Sequence, residues 1–317
     1  MKFILTLDGG GYMGVLSSTF LNRLENELRT NLNQDIPDTF DLISGTSTGA
    51  IQAGCLAVGT PASVIWDIYV NKGVKLFKRN WLPWKPKYDR RPLMDEIRYI
   101  IRRFGTDRMH SAKTKLQINT VNLCHKVSPN TYFKSWKPKC KMRISDAIQY
   151  SFSAAYYFGA SVDRHLQAVF GDGGEGNANC TIRECLIEAS KLGWLYNDHV
   201  YIVSVGTGFS THVVPFEKAK KKAGSKVWEV KQFINMARRQ SVNTQLKSAL
   251  EISDHFNMDF TRANIEVPDK LDCMDGLKYT REYVDYGNKM AEEYVPRIIN
   301  NIKKFKEGEA NGSNDRD

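Results

Sequence analysis

The chain has 317 residues, of which 42% are hydrophobic, 25% charged and 11% aromatic. These are the proportions of a folded globular protein, and they exclude a disordered chain, a collagen-like repeat and a small disulfide scaffold. The net charge of +10 favours anionic partners (acidic lipid, phosphorylated substrate or nucleic acid) without choosing among them.

In chain order, Phe3 to Leu7 is a short apolar run closed by Asp8 and a glycine cluster, and it reads as a buried strand. The run is too short for the core of a secretory signal, so a cytoplasmic protein is expected. Leu16, Phe20, Leu24 and Leu28 recur four apart with Leu21 beside them, which predicts an amphipathic helix. Asp41 to Ser44 is a second strand, Gly45 to Gly49 a turn and Ala50 to Val58 a helix of small residues. The uncharged window Leu42 to Trp66 is as long as a membrane span. Its glycines, serines, threonines and Pro61 fit a strand, a tight turn and a buried helix instead.

Ile65 to Arg103 is basic and aromatic and is broken by Pro83, Pro86 and Pro92. Leu116 to Leu123 reads as a strand, and Ser145 to Phe152 as a short helix with Ser145 as N-cap. Gln167 to Phe170 is a strand ending at Gly171-Asp172-Gly173-Gly174. Thr181 to Leu192 is a helix with Gly193 at its C-cap, and Tyr201 to Val205 a strand ending at Gly206-Thr207-Gly208. Helices follow over about Val227 to Ile252 and Leu277 to Phe305, the second kinked at Pro296. Alternating strands and helices predict an α/β fold, three layers (α/β/α) around a mostly parallel central sheet. One domain is expected over residues 1–306, with a basic aromatic insert at about 71–103 and a disordered polar tail at 307–317. The six cysteines form no CxxC pair and read as free thiols.

Three constellations carry chemistry. Gly45-Thr46-Ser47-Thr48-Gly49 is a G-x-S-x-G pentapeptide between a strand and a helix, where small residues allow a sharp bend that exposes a serine hydroxyl. The helix N-terminus that follows favours developing negative charge on Ser47. Asp8-Gly9-Gly10-Gly11-Tyr12-Met13-Gly14 follows the first strand; consecutive glycines let backbone N–H groups converge on one anion. Gly9 to Gly14 also fits G-x-G-x-x-G, but Glu25 and Glu27 fall inside the first helix and Asp35 in a loop. The acidic residue that a dinucleotide fold needs at the end of its second strand is therefore missing. An oxyanion hole for acyl transfer is the competing reading. Asp172 stands at a strand end, where α/β sheets place their sites, although an Asp-Gly turn alone would be unremarkable in sequence.

Taken in order, these segments resemble the patatin-like phospholipase family, with its D-G-G-G-x-x-G loop, its G-x-S-x-G elbow and its D-G-[GA] aspartate. Lys87-Tyr88-Asp89 followed by Leu93 is similar to the family's K-Y-D-x-x-x-L. Ser153-Ala154-Ala155-Tyr156-Tyr157-Phe158 is similar to S-A-A-P-x-x-F, and Ser204-Val205-Gly206-Thr207-Gly208 to S-L-G-T-G. The likeness is dense over residues 1–210. Met13 stands where the family usually has Arg or Lys, Tyr156 where it often has Pro, and Asn177-Ala178-Asn179-Cys180 where it has N-N-P.

The resemblance implies a Ser47–Asp172 dyad in which Asp172 is the general base and Ser47 forms an acyl-enzyme. Gly9, Gly10 and Gly11 would hold the oxyanion, supported by Asp8, Gly14, Gly45, Gly49, Gly173 and Gly174. It implies a lipid acyl hydrolase of phospholipase A type acting on phospholipid. It also permits a nucleotide-regulated, membrane-degrading effector. Two rivals remain: a Ser-Asp-His esterase of small esters using His199, His212 or His255, and a catalytically silent lipid-binding protein. No metal motif is present, so no cofactor and calcium-independent activity are expected. Trp81 and Trp84, among cations from Lys72 to Arg91, suit contact with an anionic membrane surface. The competing readings are a loop whose tryptophans pack on the domain and, least favoured, a nucleic-acid surface; no nucleic-acid partner is expected. The sequence does not indicate an oligomeric state.

Overall fold

The computed structural model describes residues 1–313 apart from positions 83, 126, 128, 138, 139, 177, 212 and 213. Pro83, Asn177 and His212, named above, lie outside the described residues. The strands are β1 (Lys2–Leu7), β2 (Leu42–Thr46), β3 (Lys115–Asn122), β4 (Asn130–Lys134), β5 (Ser161–Asp163), β6 (Ala168–Asp172), β7 (Val200–Val205) and β8 (Met258–Ala263). The first helices are α1 (Gly14–Leu32), α2 (Ile36–Thr39), α3 (Thr48–Ala57), α4 (Ala62–Val70), α5 (Gly73–Leu76) and α6 (Arg91–Phe104). Then come α7 (Ile144–Ser151), α8 (Ile182–Lys191), α9 (Trp194–Asn197), α10 (Phe216–Lys222), α11 (Lys226–Ser253) and α12 (Thr280–Ser313).

The sheet runs β5-β6-β3-β2-β1-β7-β8, with β4 also pairing β3. The five strands from β3 to β8 are parallel to one another. β4, β5 and β6 add antiparallel pairings at the β3 end. Successive side chains of a strand point to opposite faces, and the burial follows that rule. Phe3, Leu5 and Leu7 of β1, with Tyr201, Val203 and Val205 of β7, pack against α1, α3, α4, α6, α7 and α12. Ile4, Leu42, Val200 and Ile202 face the other way, onto α8, α9 and α11. Both faces are covered, which is the three-layer α/β/α arrangement expected from the alternation.

Two local expectations change. Pro92 does not break the basic aromatic segment but opens α6 from its first turn, where its missing N–H would have had no partner in any case. Ser145 is not the N-cap of α7. That place belongs to Arg143, and both the backbone N–H and the hydroxyl of Ser145 donate to Asp107, at 2.9 and 2.7 Å. The carboxylate thus satisfies the free first-turn donor from a separate loop. α12 contains Pro296 and is described as far as Ser313. No described helix is long and apolar enough to cross a membrane.

Candidate active site

β2 ends at Thr46 and α3 begins at Thr48, so Ser47 alone makes the turn. Its backbone sits at φ 55° and ψ −119°, a region that a side-chain-bearing residue occupies only under strain. The surrounding glycines make the bend feasible. A Cβ on Gly45 would overlap the backbone of Gly49, and a Cβ on Gly49 would overlap the Leu7 carbonyl of β1. The Ser47 N–H donates to Ser151 Oγ at 2.8 Å, and Ser151 Oγ donates in turn to the Asn119 carbonyl. The strained turn is therefore pinned to both α7 and β3.

Asn119 and Thr120 are consecutive residues of β3; the first pairs with Thr46 and the second with Asp172 at the end of β6. Two strands that run in opposite directions thus finish on either side of β3 at the same level, and the Ser47 hydroxyl donates to Asp172 Oδ2 at 2.6 Å. Ser47 is 5% exposed and Asp172 3%. Burial pushes the Asp172 carboxyl up to about 7, helped by the negative charge of Glu175 and opposed by hydrogen bonds from Ser47 and the Gly174 N–H. The Gly174 bond, to Oδ1, is 2.8 Å. Glu175 is half-buried and accepts the Ala155 N–H at 2.9 Å. Nothing in the sequence reading marked it, although it lies three residues past Asp172. A Cβ on Gly173 would press on the Asn119 carbonyl and on Thr46, which is why β6 can end so close to β2.

The glycine loop lies against this pair. A Cβ on Gly9 would come within 3.1 Å of the Ser47 Cβ. The Gly9 N–H is already spent on the Asn179 carbonyl at 3.2 Å. Gly10 and Gly11 have no intramolecular acceptor for their N–H groups among the described residues. Gly11 turns with φ 59° and packs on the Met274 carbonyl, while a Cβ on Gly14 would meet Thr48 and Tyr69. Asp8 is not at the reacting pair: it is buried and ion-paired to Arg262 of β8, tying the loop to the far strands. Met13, which stands where the family usually has a cation, is buried. Arg238 Nη1 of α11 lies 3.9 Å from the Met13 sulfur.

Ser47, Asp172 and Gly11 open onto a narrow cleft walled by Phe77, Tyr88, Phe158 and Met274. The K-Y-D segment provides part of this cover. Tyr88 faces the cleft and Lys87 pairs with Asp275. Arg90 donates to the carbonyls of Phe158, Gly159 and Ala160 and so holds the S-A-A stretch in place. His199 lies at the start of β7, bonded to Asn257 and Asp259, and His255 lies between α11 and β8. Both occupy the N-terminal edge of the sheet, a strand length of roughly 20 Å from Ser47 by the rise of six residues. Among the described residues no histidine lines the cleft. Trp81 and Trp84 are 96% and 77% exposed, so they do not pack on the domain.

A family model described as patatin-like phospholipase matches residues 5–184. The chain is 30% identical over 224 residues to the cGAMP-activated phospholipase of Escherichia coli (strain TW11681), covering 64% of this chain and 61% of that protein. It is 31% identical over 133 residues to Patatin-T5 of Solanum tuberosum, covering 39% of this chain and 34% of that protein. It therefore spans between a third and two thirds of the length of these curated relatives. Among solved structures, VipD from Legionella pneumophila aligns with 90% of this chain and 66% of its own, at 12% identity and a TM-score of 0.46. The matched model takes in the glycine loop, Ser47 and Asp172 and covers more than half of the residues: the chain belongs to the patatin-like phospholipase family.

Proposed function

We propose that this protein is a serine lipid acyl hydrolase of phospholipase A type, cleaving fatty-acyl esters of phospholipids through Ser47 and Asp172. The observation that carries this reading is the 2.6 Å hydrogen bond from the Ser47 hydroxyl to Asp172 Oδ2 between two buried side chains. As Ser47 Oγ bonds to the ester carbonyl carbon, its proton passes to Asp172, whose elevated pKa of about 7 suits a general base near neutrality. The carbonyl oxygen becomes an oxyanion facing the free N–H groups of Gly10 and Gly11, with the α3 N-terminus adding to its stabilisation. The carbon–oxygen bond to the leaving alcohol then breaks and Asp172 returns the proton to it. Water, deprotonated by the same carboxylate, hydrolyses the acyl-enzyme.

The cleft walls are apolar, but at about 20 Å³ the cleft must widen before it admits an acyl chain; the exposed tryptophans beside Lys78, Arg79 and Lys85 suit an anionic bilayer surface. A trigger by a small nucleotide, the kind of regulation named for the Escherichia coli relative, is a second reading. An arginine-lined cavity beside the glycine loop favours it. The test of the first reading is fatty-acid release from mixed phosphatidylglycerol–phosphatidylethanolamine vesicles, with and without nucleotide. Wild-type protein is expected to release fatty acid, and Ser47→Ala and Asp172→Ala to lose at least about 10³-fold. Release that survives either substitution contradicts the dyad.

A further inference from the structure

The seven residues of α10 include none that is buried. A helix shorter than roughly 12–15 residues is marginal alone in water, so α10 lacks the burial that would hold it helical on its own. α11 changes character along its length. Its second half is fixed to the domain by Arg238, Ser241, Gln245 and Ala249, all buried, at the three- and four-residue spacing of one helix face. Eleven residues are about three turns, so Val227 and Val230 continue the face of Arg238 and Ser241 towards the N-terminus. The domain no longer covers that face there, and both valines are exposed. Phe233 and Met236 of the same turns are exposed as well, as is Phe216 at the start of α10; Phe216 is 74% and Phe233 65% exposed. Large apolar side chains left in water together mark a surface that meets a membrane or another molecule.

Charge says which. Residues 216–230 contain five lysines (Lys218, Lys220, Lys221, Lys222 and Lys226) against two glutamates, Glu217 and Glu229. All five lysines are exposed, and Glu229 accepts the Gly224 N–H at 2.8 Å. An anionic bilayer takes both kinds of side chain. Rings and aliphatic chains enter the acyl boundary, while the long lysine stems keep their ammonium groups among the headgroups. A nucleic acid would take the lysines and leave Val227, Val230 and Met236 in water. A second copy of the chain, docked by a two-fold axis, would set one lysine cluster against the other.

This surface stands at the end of the sheet that carries Ser47. Lys218 and Lys222 share the wall of one cavity with Trp228, Met236 and Arg239, so α10 lies alongside the first turns of α11. Arg239 also lines a cavity with Asp8, Gly208 and Asn264, which follow the C-terminal ends of β1, β7 and β8. β2 is parallel to these strands, and Ser47 follows its C-terminal end. Asp272, paired with Arg239, stands two residues before Met274 of the cleft. Trp81 and Trp84 belong to the same end, since Phe77 and Tyr88, which bracket them in the chain, wall the cleft.

We propose that α10 and the first three turns of α11 form a membrane-docking surface of their own, separate from the tryptophan loop, which sets the Ser47 end of the sheet against an anionic bilayer. The use of this docking rests on the acyl-hydrolase reading; the binding itself does not. Sedimentation of the full chain with phosphatidylglycerol–phosphatidylcholine vesicles, and with phosphatidylcholine vesicles alone, tests it, together with amide hydrogen exchange over residues 216–237. The chain is expected to sediment with the anionic vesicles and to gain exchange protection over 216–237 when it does. Phe216→Ser with Phe233→Ser, and Lys220→Gln with Lys221→Gln, are each expected to weaken partition by about tenfold or more with an unchanged melting temperature, because all four side chains are exposed. The proposal is overturned if both pairs of substitutions partition like wild type. It is equally overturned if 216–237 stays unprotected while the chain is bound, which would leave the tryptophan loop as the contact, or if phosphatidylcholine alone binds as well. A dimer that the phenylalanine pair converts to a monomer in the absence of lipid would assign the face to a second copy and overturn it too. Docking through 216–237 with no fatty-acid release would keep the surface and remove the acyl-hydrolase reading; release with 216–237 unprotected would do the reverse.

Discussion

Asp172 and Glu175 are two carboxylates held close together, the first buried and the second half-buried, and their separation of roles follows from their contacts. Asp172 receives the Ser47 hydroxyl and the Gly174 N–H, whereas Glu175 receives the Ala155 N–H. Burial raises both, and the charge on Glu175 raises Asp172 further. A base works only when ionised, so kcat/KM is expected to rise with pH through a midpoint near 7 and to level off above it. Glu175→Gln keeps the acceptor for Ala155 and removes the like charge. It should move that acid limb to lower pH; a limb that stays in place or moves up would show that Glu175 does not act on Asp172 through charge. Glu175 had no signature in the sequence because an acidic residue after D-G-G is as common in a surface turn as beside a site. Its importance comes from being folded back onto the pair.

At the scale of elements, the elbow depends on how closely β1, β2 and α3 approach one another. Gly49 lies over the carbonyls of Leu7 and Asp8, which belong to backbone and cannot yield as a side-chain tip would. Gly49→Ala is expected to destabilise the protein by at least about 2 kcal/mol, read as a lower urea midpoint; an unchanged midpoint would mean that the turn has slack. The segment between α5 and α6 has the opposite character, with Trp81 and Trp84 standing in solvent. If they meet a bilayer, Trp81→Ala with Trp84→Ala should weaken sedimentation with anionic vesicles roughly tenfold and leave hydrolysis of a soluble short-chain ester unchanged. Equal loss on both substrates would place their effect in the cleft instead. α1, α3, α11 and the strands β1, β2, β3 and β7 were legible because their apolar residues recur with the period of a helix or form short runs closed by glycine. β4, β5 and β8 were not: β4 and β5 are partly exposed and polar, and β8 contains Asp259 and Arg262. Their pairing is set by neighbours far away in sequence.

Over the whole molecule, the serine and aspartate were readable as motifs, but the groups that organise them come from everywhere. Arg262 reaches Asp8 across 254 residues, and Asn179 reaches Gly9 across 170. Arg238 reaches the Met13 sulfur across 225. Single residues without local pattern cannot be placed by spacing; only the closed sheet brings them together. Gly9 illustrates the same limit, since its place in the motif says nothing of the Asn179 carbonyl that takes its N–H. Whether Ser47 is a nucleophile activated by Asp172 is measured most directly by covalent labelling of the full chain with a small fluorophosphonate. The modified residue would be mapped by mass spectrometry, with rates taken from pH 5.5 to 8.5. A label on Ser47 alone is expected, at a rate that rises through pH about 7, with near-complete loss of labelling in Asp172→Asn. A label on another serine, or Ser47 labelled as fast in Asp172→Asn as in wild type, would contradict it.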